Sequence, residues 1–281
     1  MQSLINFHLA ALFLTFCALR SEAAVTASSL AIVGYDDYRD SFSVMALDNL
    51  AAGEVIYFTN NGWSSSQGRF NGADDAQGAG NESLIKLTLN QTIAKGSVIV
   101  SNANDGAWTW TKSGLVPGQI DGEAVFSDLA LDFESDQIYA FQGSLDNPLL
   151  NPTNFLYALH FGSPDYPGFS DSEDSLTGDI PPGLSLLDKT AFAHTNLSFH
   201  GDADGHHSSW GLDMNSPEVQ QLLTSGGTNT QWLNAIANSD NWGAVAPPPD
   251  ESFLDAAPEP TKAMLLLLGL CAVGSKRRRK A

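Results

Sequence analysis

Short apolar runs separated by turn residues dominate the chain between residues 28 and 162. The segments SSLAIVGY (28–35), SFSVMAL (41–47), EVIYFTN (54–60), SLIKLTL (83–89) and GSVIVSN (96–102) are rich in β-branched and aromatic residues. Asn60-Asn61-Gly62 and Ala94-Lys95-Gly96 punctuate them, as turns do between strands. After a loop, DQIYAFQGS (136–144) and NFLYALHFG (154–162) continue the pattern, with Asp146-Asn147-Pro148 as the break. Seven strands at this spacing predict a mainly-β sandwich. Helical signals fall in the C-terminal third. Ser216-Pro217-Glu218 supplies an N-cap, a proline at the first helical position and an early acid ahead of Val219, Leu222 and Leu223. A second helix is predicted from about Thr230 to Asn238, where Trp232, Leu233 and Ile236 share one face. Both short helices are expected to cover an end or an edge of the sheet.

The two ends follow other rules. Leu9 to Leu19 form an apolar run followed by Ser21-Glu22-Ala23, whose small residues at −3 and −1 suit signal peptidase. Residues 1–23 therefore read as a secretory signal, although no Lys or Arg precedes the run. At the other end stand Pro258-Glu259-Pro260, the apolar stretch Ala263–Gly274, and Lys276-Arg277-Arg278-Arg279-Lys280. The stretch of 12 residues would reach only ~18 Å as a helix, against a ~30 Å hydrocarbon core. A basic cluster stays on the cytoplasmic side while the apolar segment enters the bilayer, and so short a span suits a transient handle better than a permanent anchor. The expected organisation is a signal over 1–23, a body over 24–243, a Pro-rich acidic linker over 244–257 and a sorting tail with a short transmembrane segment over 258–281.

This order of Pro258, Glu259 and Pro260, an apolar stretch, then Arg277, Arg278 and Arg279 resembles the PEP-CTERM sorting signal of Gram-negative bacteria. The resemblance implies processing by an integral-membrane exosortase and delivery to the cell surface or extracellular matrix, with the inner membrane as a transient station. The body also resembles an uncharacterised module of secreted bacterial proteins, through IYFTNNGW (56–63), DQIYAFQGS (136–144) and LNAIANSDNW (233–242). EVIYFTN with Gly62-Trp63, and later Ile93 to Val100, looks like the lamin-tail immunoglobulin-like sandwich. Such a likeness implies a fold and no chemistry.

Removing both ends changes the charge. The whole chain carries −19, but residues 24–260 hold 6 Lys+Arg against 31 Asp+Glu, close to −25. Such a surface repels nucleic acid and anionic lipid and attracts divalent cations. Membrane contact is expected only through the sorting tail. The two cysteines, Cys17 and Cys271, lie in the signal and the tail, so the body has no disulfide, no thiol nucleophile and no thiolate metal site. Its stability must come from an apolar core.

Catalytic signatures are missing. No G-x-S-x-G, H-E-x-x-H, G-x-x-x-x-G-K or G-x-G-x-x-G stands in the body. Asp132, Glu134 and Asp136 are acids of the kind glycosidases pair, yet 31 acids offer such neighbours everywhere. His200-Gly201-Asp202-Ala203-Asp204-Gly205-His206-His207 has the D-x-D-G order of a calcium loop. It departs from an EF-hand at His206, and the imidazoles admit a transition metal instead. A solvated turn, calcium held by Asp202 and Asp204, and a transition-metal site all remain open. Asp36-Asp37 with Asp40, and the acids of 171–174, are weaker alternatives. Trp108 and Trp110 would share one face of an extended strand, either stacking on sugar or packing in the core. The other tryptophans read as core or turn anchors. The function that follows is an exported, non-enzymatic surface or matrix protein that meets signal peptidase and exosortase during export and needs no cofactor, calcium aside. The alternative is a secreted protein that binds or cleaves polysaccharide.

Overall fold

The computed structural model describes residues 25–36, 40–71, 83–104, 107–111, 120–126, 131, 135–162, 178–194 and 209–244. In chain order the strands are β1 (Leu30–Asp36), β2 (Ser41–Ala46), β3 (Val55–Thr59), β4 (Trp63–Ser64), β5 (Arg69–Phe70), β6 (Leu84–Leu89) and β7 (Val98–Asn104). They continue with β8 (Ala107–Thr111), β9 (Ile120–Phe126), β10 (Ser135–Gly143), β11 (Pro152–Gly162), β12 (Ala191–His194), β13 (Ser209–Leu212) and β14 (Trp242–Ala244). Helices α1 (Pro217–Ser225) and α2 (Asn229–Ile236) lie between the last two strands. All seven strands read from the sequence form. The protein is a mainly-β sandwich with two short C-terminal helices.

Two six-stranded sheets make the sandwich, ordered β14-β13-β1-β2-β7-β8 and β12-β11-β10-β3-β6-β9. Every pairing is antiparallel except β11 with β12. The sheets face each other with β1 against β11, and edge strand β8 lies beside edge strand β9. Between them Ile32, Phe42, Val44, Ile56, Phe58, Ile85, Leu87, Ile138, Leu159 and Phe161 form one core. Tyr35 stacks on Phe161 across the gap, with centroids 3.8 Å apart.

Along β3, β10 and β11 the second sheet is buried on both faces. Successive side chains of a strand point to opposite sides, so Ile138 and Ala140 enter the inter-sheet core while Tyr139 and Phe141 enter a second cluster. That cluster adds Tyr57, Trp63, Phe70, Leu149, Phe155 and Leu184. Its roof is the β4–β5 hairpin together with segments 144–151 and 178–190. Backbone bonds pin the roof: Phe70 N–H donates to Leu149 O at 3.3 Å, and Asp179 N–H to Trp63 O at 2.8 Å. The Tyr139 hydroxyl, at the centre of the sheet, donates to Asp179 O at 3.2 Å. Edge-on ring contacts tie Trp63 to Phe70 and Phe155 at 5.3 and 4.8 Å, the arrangement aromatic quadrupoles favour.

The helices begin where their caps dictate. The Ser216 hydroxyl accepts from Val219 N–H, Pro217 opens α1, and Gly226 closes it in the left-handed conformation at φ 74°. Helix α2 starts at a capping box in which Thr228 and Gln231 satisfy each other's backbone N–H groups. It ends two residues earlier than the apolar spacing suggests. The Asn238 side chain accepts from Asp240 N–H and starts a 3-10 turn over Ser239–Asn241 instead. Helix α2 packs against β1, and Val219, Leu222, Trp232, Leu233 and Ile236 join the main core.

Gly178 shows how closely the roof sits. A Cβ there would meet the Tyr139 hydroxyl, the Trp63 nitrogen at 2.5 Å and Gly62 Cα at 2.8 Å. Two of those neighbours are backbone, which cannot swing away. Gly178→Ala should therefore lower the unfolding free energy by about 1–3 kcal/mol, read from urea midpoints; an unchanged midpoint would show the roof to be loosely seated.

Candidate functional site

The end of β3 and the adjoining ends of β6 and β10 carry polar residues that turn inward. Thr59, Asn60, Asn61, Ser83, Asp136 and Gln137 are all buried, and a buried polar group needs a partner. Asn60 supplies most of them. Its Oδ1 accepts from Ser83 N–H and Ser83 Oγ–H, each at 3.0 Å. Its Nδ2 reaches Asp136 Oδ2 at 3.5 Å, and its carbonyl accepts from Gln137 Nε2 at 2.5 Å. Asp136 Oδ1 takes Gln137 N–H at 2.7 Å. Thr59 Oγ1 donates to Ser83 O at 2.5 Å and accepts from Asn61 N–H at 3.1 Å. The TNN of IYFTNNGW and the DQ of DQIYAFQGS are thus bonded to each other. The arrangement clamps the ends of β3, β6 and β10 together, and its neutral donors hold the Asp136 carboxylate inside the protein.

His160 sits opposite Gln137 in the β10–β11 register and is fully buried. Burial disfavours the imidazolium and lowers its pKa from 6.5 to about 4. The ring is neutral at ordinary pH. Burial likewise pushes the Tyr139 and Tyr157 hydroxyls far above the usual tyrosine range, so neither forms a phenolate.

The residues singled out in the sequence separate rather than converge. Asp136 is in the clamp, while Asp132 and Glu134 lie outside the described residues. Asp36 is buried at the end of β1, and Asp40 Oδ1 accepts from Leu131 N–H at 2.9 Å; Asp37 lies outside the described residues. So do Asp202 and Asp204, and so do Pro258, Glu259, Pro260, Arg277, Arg278, Arg279 and the apolar stretch before them. Trp108 and Trp110 belong to edge strand β8, in register with Ala103 and Ser101. Trp63, Trp210, Trp232 and Trp242 are buried in the two cores, as expected of anchors. Among the described residues no three His, Cys, Asp or Glu side chains group as a metal site, and no helix is long and apolar enough to cross a membrane.

A groove of about 400 Å³ opens at the edge of the roof, lined by Trp63, Phe155, Asn154, Thr153, Pro152 and Pro182 among others. Its volume suits a small ligand, but its rings do not. Trp63 is 3% exposed and Phe155 8%, because each is packed edge-on against the other. With both rings buried, the groove offers little indole surface on which a sugar could stack. Asn154 Nδ2 is already committed to Val25 O and Gln142 Oε1, at 2.8 and 3.2 Å.

No family profile, curated protein or solved structure matches the chain.

The buried imidazole makes stability depend on pH. In the unfolded chain it takes a proton near pH 6.5 and in the folded protein only near 4. Its contribution is complete above about 6.5 and is lost as the pH falls from there towards 4, because the unfolded state then binds the extra proton. The full loss is on the order of 3 kcal/mol. His160→Gln should flatten the fall in urea-unfolding free energy between about pH 7 and about pH 4.5 by much of that amount. Parallel pH profiles for parent and variant would refute the assignment.

Proposed function

We propose that the protein is an exported surface or extracellular-matrix protein whose β-sandwich is the cargo and whose tail is the sorting signal. The observation that carries this reading is the order Pro258-Glu259-Pro260, apolar stretch, basic cluster, which resembles a signal read by an exosortase. Supporting it is the way the body is held together. It has no cysteine, and its stability rests on two apolar clusters and on hydrogen bonds among neutral groups. Such a body tolerates oxidising and reducing surroundings alike. Its acidity keeps it soluble and away from nucleic acid and anionic headgroups. Val25 is buried in the main core, and its carbonyl accepts from Asn154; a cut after Ala23 leaves that residue to the sandwich.

The chemistry of the described residues fits a scaffold better than a hydrolase, since the buried Asp136 carboxylate is used to join strands and the buried His160 imidazole is held neutral. Material collected from the cell surface and analysed by mass spectrometry should contain peptides of the body and lack those of residues 1–23 and of the basic cluster. Recovery of intact Lys276–Lys280 outside the cell would sink the sorting reading.

A further inference from the structure

We propose that the sandwich is built to bear tension applied through its two ends, with β1, β13 and β14 acting as a shear clamp. In the cell this rests on the reading of an exported surface or matrix protein, because tension arises only where the processed chain ends are attached to their surroundings.

The first strand of the sheet and the last are both bonded to the same neighbour. β13 pairs antiparallel with β1 through Gly34↔Gly211, Tyr35↔Trp210 and Asp36↔Ser209. It pairs antiparallel with β14 through Trp210↔Ala244, Gly211↔Gly243 and Leu212↔Trp242. β1 and β14 therefore run in the same direction on either side of it. The chain enters the sheet at Leu30 and leaves it at Ala244, which is level with Trp210 and Tyr35. Entry and exit are separated by the five residue steps from Leu30 to Tyr35, about 17 Å along the strands. A pull on the two ends thus acts along the strand axes in opposite senses.

That direction decides how the bonds fail. Inter-strand hydrogen bonds of an antiparallel pair stand perpendicular to the strands, so a pull along the axis loads them side by side and they must break together. A pull across the sheet would open them one after another. Both ends of the clamp are also bolted to the rest of the body. Beside β14, Trp242 Nε1 donates to Ile236 O at 2.6 Å, Asn241 Nδ2 to Ala235 O at 3.0 Å, and Asp213 N–H to Asn241 O at 2.6 Å. Ahead of β1, Ser29 O accepts from Leu47 N–H at 2.8 Å and Asp48 N–H at 3.1 Å, and Ser28 O accepts from Asn229 Nδ2 at 3.2 Å. Sliding β14 would in addition drag the buried Trp242 out of the main core.

The chain carries its own handles, since its two cysteines, Cys17 and Cys271, stand on either side of the body. In single-molecule force spectroscopy of the full chain in mild detergent, tethering through Cys17 and Cys271 loads the clamp in shear. The comparison is Ala52→Cys with Cys271→Ser, tethered through residues 17 and 52. Ala52 is exposed in the turn between β2 and β3, at the Leu30 end of the sandwich, so both attachments then lie at one end and the pull crosses the strands. With both proteins showing the same urea midpoint when untethered, the Cys17–Cys271 geometry should unfold at about twice the force or more at equal loading rate. Equal forces, or a weaker Cys17–Cys271 geometry, would overturn the clamp. Neither result bears on tail processing, and retention of the basic cluster on surface material would leave the force ratio untouched.

Discussion

The fold depends on a sheet that cannot face water on either side. β3, β10 and β11 alternate between two apolar surfaces, one filled by Ile56, Phe58, Ile138 and Leu159 and the other by Tyr57, Tyr139, Phe141 and Phe155. An antiparallel sheet is ordinarily free to wet one face. Here the outer face carries large aromatic rings, each worth roughly 2–3 kcal/mol when fully buried. With no cysteine in the body, that burial takes the place of cross-links. The hairpin β4–β5, the turn at 144–151 and the strap at 178–190 are positioned by the need to cover those rings, and the Asn60 clamp fixes the end of β3 from which the hairpin departs.

Much of this was legible in the sequence. Seven of the longer strands were marked by apolar runs and turn residues, and α1 by Ser216-Pro217-Glu218; β8 and β9 were not, β9 because Asp121-Gly122-Glu123 interrupt its apolar residues. Short strands were not. β4 and β5 have two residues each, and β12, β13 and β14 have three or four, too few for any periodicity; they are strands because a longer neighbour offers them an edge. The roof, by contrast, left a signal. IYAF in β10 and FLYALHF in β11 are continuous apolar runs rather than alternating ones, and a continuous run implies burial on both faces. Thr59-Asn60-Asn61 and Asp136-Gln137, polar pairs abutting such runs, were visible as residues, but their mutual bonding depends on strand order.

The proposed function rests mainly on the chain ends, and the body accounts for why. Two of its buried ionisable groups sit within the sheet: Asp136 accepts from a backbone N–H and an amide, and His160 stays neutral in β11. Its tryptophans with described side chains are buried rather than displayed, Trp63 against Phe70 and Phe155 and Trp242 bonded to the Ile236 carbonyl. A layered, cysteine-free, acidic sandwich entered at one end and left at the other is a physical element suited to being held and exposed, and its chemistry is that of persistence.

The central claim is that the roof is part of the core and not an appendage to it. Native-state hydrogen exchange tests this directly at the amides of Asp179, Leu184, Thr190 and Ala191, which donate to Trp63, Pro181 and Ser185 carbonyls, against those of Tyr139 and Phe141 beneath them. If roof and sheet form one cooperative unit, both sets open with the same free energy, equal to that of global unfolding. Exchange of the roof amides at a much lower free energy, with β10 still fully protected, would contradict it.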